Sequence, residues 1–502
     1  MDRLISRLLR TLVIGLCLSV SFAWAEYVPS NSNVPEPVRE FRAAWIATVH
    51  NLDWPSTYTL TPGQQRAELV GLLDLAAETG LNAVILQVRT ECDALYKSKI
   101  EPWSFWLSGE MGKGPSDGYD PLAFAVEEAH KRGLELHAWF NPFRSSATTR
   151  SNKSSSHVSR THPSLMLDSG SMKWGNPGSE FIRNRAIEVM VDVTRRYNVD
   201  AVHIDDYFYP YPKTVGGRTQ DQFDDSASYR QYKSKGGKLD VGDWRRSQIN
   251  SFVSSLYSSI KSTKKSVKVG ISPFGIWRPG YPSTVKAGLD AYGHIYADSR
   301  LWLHQGWMDY FTPQLYWRID PPDQSFTALQ NWWAGENKQR RHLWPGTASN
   351  RILSSEDKGR PSSEAIKQID ATRKTSSPAG PGHVHWSIKA IKEDRGGLQA
   401  KLRAAYSETA VPPSSPWLGS SAPGPVYVSP MESDGGLELA FKAEPDARWR
   451  VIQVREGRSW TTRRLIPGGQ DSYRIAGSPD EVAIRHVGDT GILSVPTVLK
   501  RQ

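Results

Sequence analysis

The sequence predicts an α/β protein, a (β/α)8 TIM barrel followed by a small β-sandwich of fibronectin-III or immunoglobulin type. Three observations carry this. Between residues 40 and 410, eight short runs rich in Val, Ile, Phe and Trp alternate with amphipathic helical stretches, and eight such units in series close most simply as a parallel barrel. Long inserts follow the third, fourth and fifth runs, on the side where barrel loops gather. After a Pro/Ser-rich stretch the pattern changes to closely spaced β-type runs.

Taken in order, residues 1–25 read as a secretory signal. Arg3, Arg7 and Arg10 precede an apolar run, Leu12 to Phe22, and Ala23-Trp24-Ala25 supplies an A-x-A cleavage site. The run is short for a membrane span and Glu26 follows at once. A lipoprotein signal through Cys17 is disfavoured by the bulky Leu16 before it. Cleavage after Ala25 predicts a periplasmic or secreted protein that is not membrane-embedded. It also leaves Cys92 as the lone cysteine, read as a small buried hydrophobe rather than a nucleophile.

Residues 26–39 form a loose Pro/Asn/Ser lead. The eight predicted strands are Ala43–Val49, Ala83–Arg89, Glu135–Phe140, Ala201–Tyr207, Lys268–Phe274, Asp309–Trp317, His342–Ser349 and His383–Ile388. Helices between them carry start signals: Thr61-Pro62-Gly63-Gln64 is a capping box with proline at the first helical position, and Asp120-Pro121 opens the next. Further helices start at Ser179 and Trp244, each with one apolar face. The inserts span 141–178, 210–243 and 275–303. Residues 411–420 read as a linker, and 421–502 as the sandwich, with seven β-type runs. The sandwich either binds a partner protein or covers the barrel.

Composition narrows the function. Hydrophobic residues at 38%, charged residues at 23% and a mean hydropathy of −0.50 exclude a polytopic membrane protein and a disordered chain. The net charge is +10, and about +8 once the signal's three arginines and one aspartate are gone, so an anionic partner fits. The 19 tryptophans are several times the usual share. Because indoles are awkward to bury, many are expected on a surface that stacks a flat partner such as a sugar ring. No strand-to-helix nucleophile elbow, phosphate-binding glycine loop, H-E-x-x-H or C-x-x-C is read, so no cofactor and no metal is expected. Nucleic acid is an unexpected partner for an exported chain.

The fourth strand ends His203-Ile204-Asp205-Asp206-Tyr207-Phe208-Tyr209-Pro210. Carboxylates at the end of a buried strand are costly unless they have a task or a partner. Alternation puts His203 and Asp205 on one side and Asp206 on the other, unless the strand frays. Arg89 is expected to pair with Asp205 and hold it ionised, and Asp93 is a candidate further carboxylate. His137, Trp139 and Asn141 on the third strand, Tyr207, Trp277, Gln314, Tyr316, Trp317 and Trp386 complete the candidate substrate surface, together with His203. Hydrolysis of a glycoside needs two carboxyl groups and a ring-lined groove. The reading is therefore a glycosidase, with Asp205 as nucleophile or base and Asp206, or else Asp93, as acid. A glycan-binding barrel without chemistry and a metal-dependent polysaccharide deacetylase are the alternatives.

The chain also resembles the glycosyl-hydrolase-like ten proteins of bacteria, from about Glu40 to Tyr406. The likeness rests on Arg42-Ala43-Ala44-Trp45 through Asn51-Leu52-Asp53-Trp54-Pro55, Gln87-Val88-Arg89 with Asp93-Ala94-Leu95-Tyr96, and Glu101-Pro102-Trp103-Ser104. It continues through Gly118-Tyr119-Asp120-Pro121-Leu122, Glu135 to Pro142, His203 to Tyr211, Ile271 to Arg278, Tyr296 to Arg300 and Pro313 to Trp317. Thr90 and Met111 depart from the expected proline and glutamine, which touches groove shape but no carboxylate. The resemblance implies an exported glycosidase acting on cell-wall glycan, with peptide-free peptidoglycan strands as the expected substrate. Their lactyl carboxylates would suit a groove containing Arg89, Arg144, Arg278 and Arg318. The resemblance supplies no catalytic pair.

Overall fold

The computed structural model describes residues 26–147, 153–215, 218–375, 380–433 and 435–502. The segment read as a secretory signal lies outside them. Eight parallel strands form the barrel: β1 (Phe41–Ile46), β2 (Ala83–Arg89), β3 (Glu135–Phe140), β4 (Ala201–Ile204), β5 (Lys268–Ile271), β6 (Tyr310–Phe311), β7 and β8 (Gly382–His385). β7 comes in two pieces, His342–Leu343 on β6 and Gly346–Thr347 on β8. β8 pairs in turn with β1, so the sheet closes. The outer layer is α1 (Pro62–Glu78), α2 (Pro121–Lys131), α3 (Glu180–Arg196), α4 (Val241–Thr263), α5 (Ser299–Gln305), α6 (Phe326–Glu336), α7 (Ser363–Lys374) and α8 (Leu398–Ala405).

Local sequence accounts for the elements. The Thr61 hydroxyl accepts from the Gln64 amide while the Gln64 side chain takes the Thr61 amide, so the capping box forms as read. Asp120 caps α2 through the Leu122 and Ala123 amides. α4 starts three residues earlier than read, because Asp240 is its cap. Strand alternation divides the core in two. Phe41, Trp45, Ile85, Trp139, Ala201 and Tyr310 fill the lumen, whereas Leu86, Leu136, Ala138, Val202 and Ile204 pack under the helices.

The inserts after β3 and β4 carry structure of their own. The first holds an antiparallel sheet of Arg144–Ala147, Met166–Ser169 and Met172–Gly175, and the second a helix, Ser226–Ser234.

All seven sandwich runs form strands, in sheets of three and five. The fifth strand of the larger sheet is Tyr27–Pro29, which pairs antiparallel with the C-terminal strand, and Tyr27 lies in the sandwich core. The start of the lead read as loose, Tyr27–Pro29, is therefore an edge strand of the C-terminal domain. The sandwich covers the N-terminal end of the barrel. Arg448 pairs with Asp200 just before β4 at 2.6 Å, and α2 ends at Gly133, where a Cβ would run into the Leu465 carbonyl. The stretch read as a linker is packed rather than loose: Val411 is buried with Trp449 and Leu465, the Ser415 hydroxyl meets His342, and Trp417 donates to Asp309 at 2.8 Å. The opposite end, where the strands finish, is left to the site.

Candidate active site

β4 stops at Ile204, so the next two residues are released from strict alternation and both carboxyl groups turn toward the barrel mouth. Asp205, in register with the inward-pointing Ala201 and His203, takes a 3.0 Å hydrogen bond from the Trp139 indole of β3. Asp206 takes one from the Tyr211 hydroxyl and another from the Gln314 amide. Tyr316 lies beside both. Arg144 acts on both charges; its guanidinium stacks 4.5 Å over Tyr207 and its buried Nε has no hydrogen-bond partner.

Each aspartate is 3% exposed. Burial, and next the negative charge of Asp206, push the Asp205 carboxyl up to about 8, against the pull of Arg144 and Trp139. Burial raises Asp206 too, but its bonds from Tyr211 and Gln314 oppose the rise. The environments differ: both carboxyl groups are pushed up, and Asp206 has the two side-chain donors that oppose the rise, whereas Asp205 has the Trp139 indole.

Other predicted residues lie elsewhere. Arg89 does not pair with Asp205. Fully buried, it makes a bidentate bridge to Glu101 at 2.6 and 2.7 Å and donates to the carbonyls of Asn141 and Pro142. Asp93 is buried in the turn after β2, accepting from the Thr90 and Glu91 amides at 2.9 Å and from the Thr90 hydroxyl. That is a turn brace, reached by its own neighbours rather than by a substrate. His137 and His203 belong to the lumen. Their Nδ1 atoms each meet the Tyr310 hydroxyl at 2.9 Å, with Glu135 and Ser272 on the far nitrogens. Burial keeps the His203 imidazole neutral. Both are wholly buried, a layer below the substrate surface where they were expected.

Asn141 caps the end of β3. Its Nδ2 donates to the Thr90 carbonyl at 3.2 Å, while its buried Oδ1 has no partner. Trp386 stands edge-on to Trp45 and Trp139, with centroids 5.8 and 5.9 Å apart, and is half-buried like Tyr207, Tyr316 and Trp317. Trp277 is mostly enclosed, its indole donating to Asp298. The tryptophan excess serves packing more than expected: Trp45, Trp54, Trp302, Trp333 and Trp344 are fully buried. Tyr209 is core as well.

Sequence reasoning passed over Tyr211 as a site residue, although a hydroxyl five positions beyond a carboxylate on a loop able to fold back was a usable signal. It also passed over Glu101 as the partner of Arg89, which no spacing rule reveals. Among the described residues, no cluster of three or more His, Cys, Asp or Glu is placed to hold a metal ion. Nor is any helix among them long and apolar enough to cross a membrane.

The sequence model described as "Glycosyl hydrolase-like 10" matches residues 40–361, from β1 to the segment before α7. The chain is 39% identical over 451 residues to "Glycosyl hydrolase YngK" of Bacillus subtilis (strain 168), covering 88% of this chain and 85% of that protein. It is 34% identical over 349 residues to "Glycosyl hydrolase DigH" of Escherichia coli (strain K12), covering 64% and 77%. Among solved structures, the PgaB (BpsB) glycoside hydrolase domain from Bordetella bronchiseptica aligns with a TM-score of 0.48 at 12% identity, over 74% of this chain and 99% of that one.

Proposed function

The chain belongs to the glycosyl hydrolase-like 10 family, and on that premise we propose that it is an exported enzyme cleaving O-glycosidic bonds of a cell-wall glycan, peptide-free peptidoglycan strands above all. The observation that carries the reading is the Asp205–Asp206 pair: two buried carboxyl groups at the C-terminal mouth, both pushed up by burial, with Asp206 alone held by the Tyr211 hydroxyl and the Gln314 amide. A cleavage site needs one group to give a proton to the leaving oxygen and one to carry negative charge beside the developing cation. Asp205 is the acid, and Asp206 the anion held by Tyr211 and Gln314. This reverses the roles read from the sequence, where nothing distinguished the two. Half-buried Tyr207, Tyr316, Trp317 and Trp386 supply faces for sugar rings. Arg144 makes no ion pair among the described residues and is the cation best placed for a lactyl carboxylate. Arg89, engaged by Glu101, is not available for that task.

Asp205→Asn tests the assignment. Cleavage of peptide-free glycan strands, followed by mass analysis of products, should fall at least about a hundredfold, the usual worth of a general acid. The wild-type kcat/KM should decline as pH rises through about 8, where Asp205 loses its proton. Undiminished cleavage by the variant refutes the role. Tight glycan binding without any cleavage by the wild-type protein identifies a binding barrel instead.

A further inference from the structure

Hydrolysis with an enzyme carboxylate as nucleophile, or as base for water, requires two carboxyl groups facing each other across the scissile bond, roughly 5 to 9.5 Å apart. Asp205 and Asp206 are consecutive, with Cα atoms ~3.8 Å apart, and both are fastened to one wall. Tyr316 and Arg144 act on both of them, Trp139 reaches Asp205 from β3, and Gln314 reaches Asp206 from the segment after β6. Among the described residues, the buried carboxylates at the other strand ends, Glu91 included, have partners of their own, as does the half-buried Asp298. Asp53 accepts from the Ala47 amide at 2.7 Å and the Ser387 hydroxyl at 2.6 Å. Asp93 braces its turn, Glu101 holds Arg89, and Asp298 caps α5. The pair thus works from one side of the bond, and among the described residues no buried carboxyl group outside the pair is without a partner of its own.

We infer that the missing nucleophile is carried by the substrate: the sugar on the non-reducing side of the cleaved bond is a 2-acetamido-2-deoxy hexose whose acetamido oxygen attacks C1. The inference rests on the hydrolase reading above and gives it a mechanism. As the acetamido oxygen bonds to C1, the C1–O glycosidic bond breaks, its electron pair leaving with the oxygen. Asp205 delivers its proton to that oxygen, and the released half departs as an alcohol. The other half is a bicyclic oxazolinium ion, whose positive charge and N–H face the Asp206 carboxylate. In the return step the Asp205 carboxylate takes a proton from water as the water oxygen bonds to C1. The bond from C1 to the acetamido oxygen then breaks, restoring the acetamide, with the anomeric configuration retained and Asp205 protonated again. Tyr211 and Gln314 are positioning residues, aiming the anion that meets the N–H.

The test uses the full chain and peptide-free peptidoglycan strands that have been de-N-acetylated and then re-acylated with either acetyl or trifluoroacetyl groups. Fluorine withdraws electrons from the acyl oxygen with little change of size. The expected result is retention of configuration by proton NMR and a kcat at least about a hundredfold lower on the trifluoroacetyl strands, because the nucleophile itself is weakened, with KM within a few-fold. Re-acetylated strands should recover the rate of untreated ones. Inversion of configuration, or equal turnover of both acylated forms, overturns the inference and leaves the hydrolase reading standing. If the wild-type protein cleaves none of the strands, the hydrolase reading fails and this inference falls with it.

Discussion

Removing a carboxylate from water costs more than a single hydrogen bond returns, so a buried aspartate is either neutralised by a proton or held by several donors. Asp205 takes the first course; Asp206 is also pushed up by burial, with Tyr211 and Gln314 opposing the rise. The proton on Asp205 has a consequence for stability. Its folded pKa of about 8 lies above the unfolded value of ~3.9. Between those limits the folded state keeps a proton that the unfolded state has released, so this group's contribution falls as pH rises from about 4 to about 8. Asn at 205 is neutral throughout and escapes that loss. The melting temperature of Asp205→Asn should therefore exceed that of the wild type by a margin that widens from pH 5 to pH 8. A margin independent of pH would show that Asp205 is not carrying the proton. The pair was legible in the sequence as a cost without a visible partner; the division of labour was not, since Tyr211 and Gln314 arrive from a loop and from the segment after β6.

Among the elements, β2 and the loop after it show how a correct observation can acquire the wrong partner. Arg89 at the end of a barrel strand does need an anion, and the sequence offered Asp205. Instead the loop through Glu101-Pro102-Trp103 folds back over the strand end and brings Glu101 into bidentate contact, while Arg89 ties β2 to the carbonyls after β3. The bridge braces the rim of the site without entering it. Glu101→Ala leaves a guanidinium buried without its counter-charge, which costs roughly 3–5 kcal/mol. Thermal melting should fall by several degrees, and glycan cleavage at 20 °C should decline only as far as the rim loosens. Unchanged melting would mean that the bridge contributes nothing. Caps and strand centres, by contrast, were read directly, because a capping box or an alternating run depends on residues a few positions apart. Strand ends were overestimated: β4 to β6 stop where backbone gives way to the loops that build the site.

At the scale of the whole molecule, the sandwich acts as a floor. It receives its outermost strand from residues 27–29 and covers Asp200, Asp309 and His342 at the barrel's N-terminal end through Arg448, Trp417 and Ser415. Of the two sequence readings of this domain, a partner module or a cover, the structure supports the cover. A chain cut after Ala410 leaves Asp200, Asp309 and His342 without those partners, so it should be poorly soluble or melt well below the intact protein. Cooperative melting of residues 40–410 at the full-length temperature would refute an integral floor.

The sequence by itself determined the class of architecture, the eight strand centres, the seven sandwich strands and the segment where the two aspartates sit. These follow from short-range periodicity, capping and turn chemistry, which act between near neighbours in the chain. Only the tertiary structure decided that Arg89 belongs to Glu101, that His137 and His203 lie inside the barrel, that much of the tryptophan is core, and that Tyr211 and Gln314 reach Asp206. Each of these turns on burial or on a partner brought from another strand or a folded-back loop, and neither is fixed until the barrel closes.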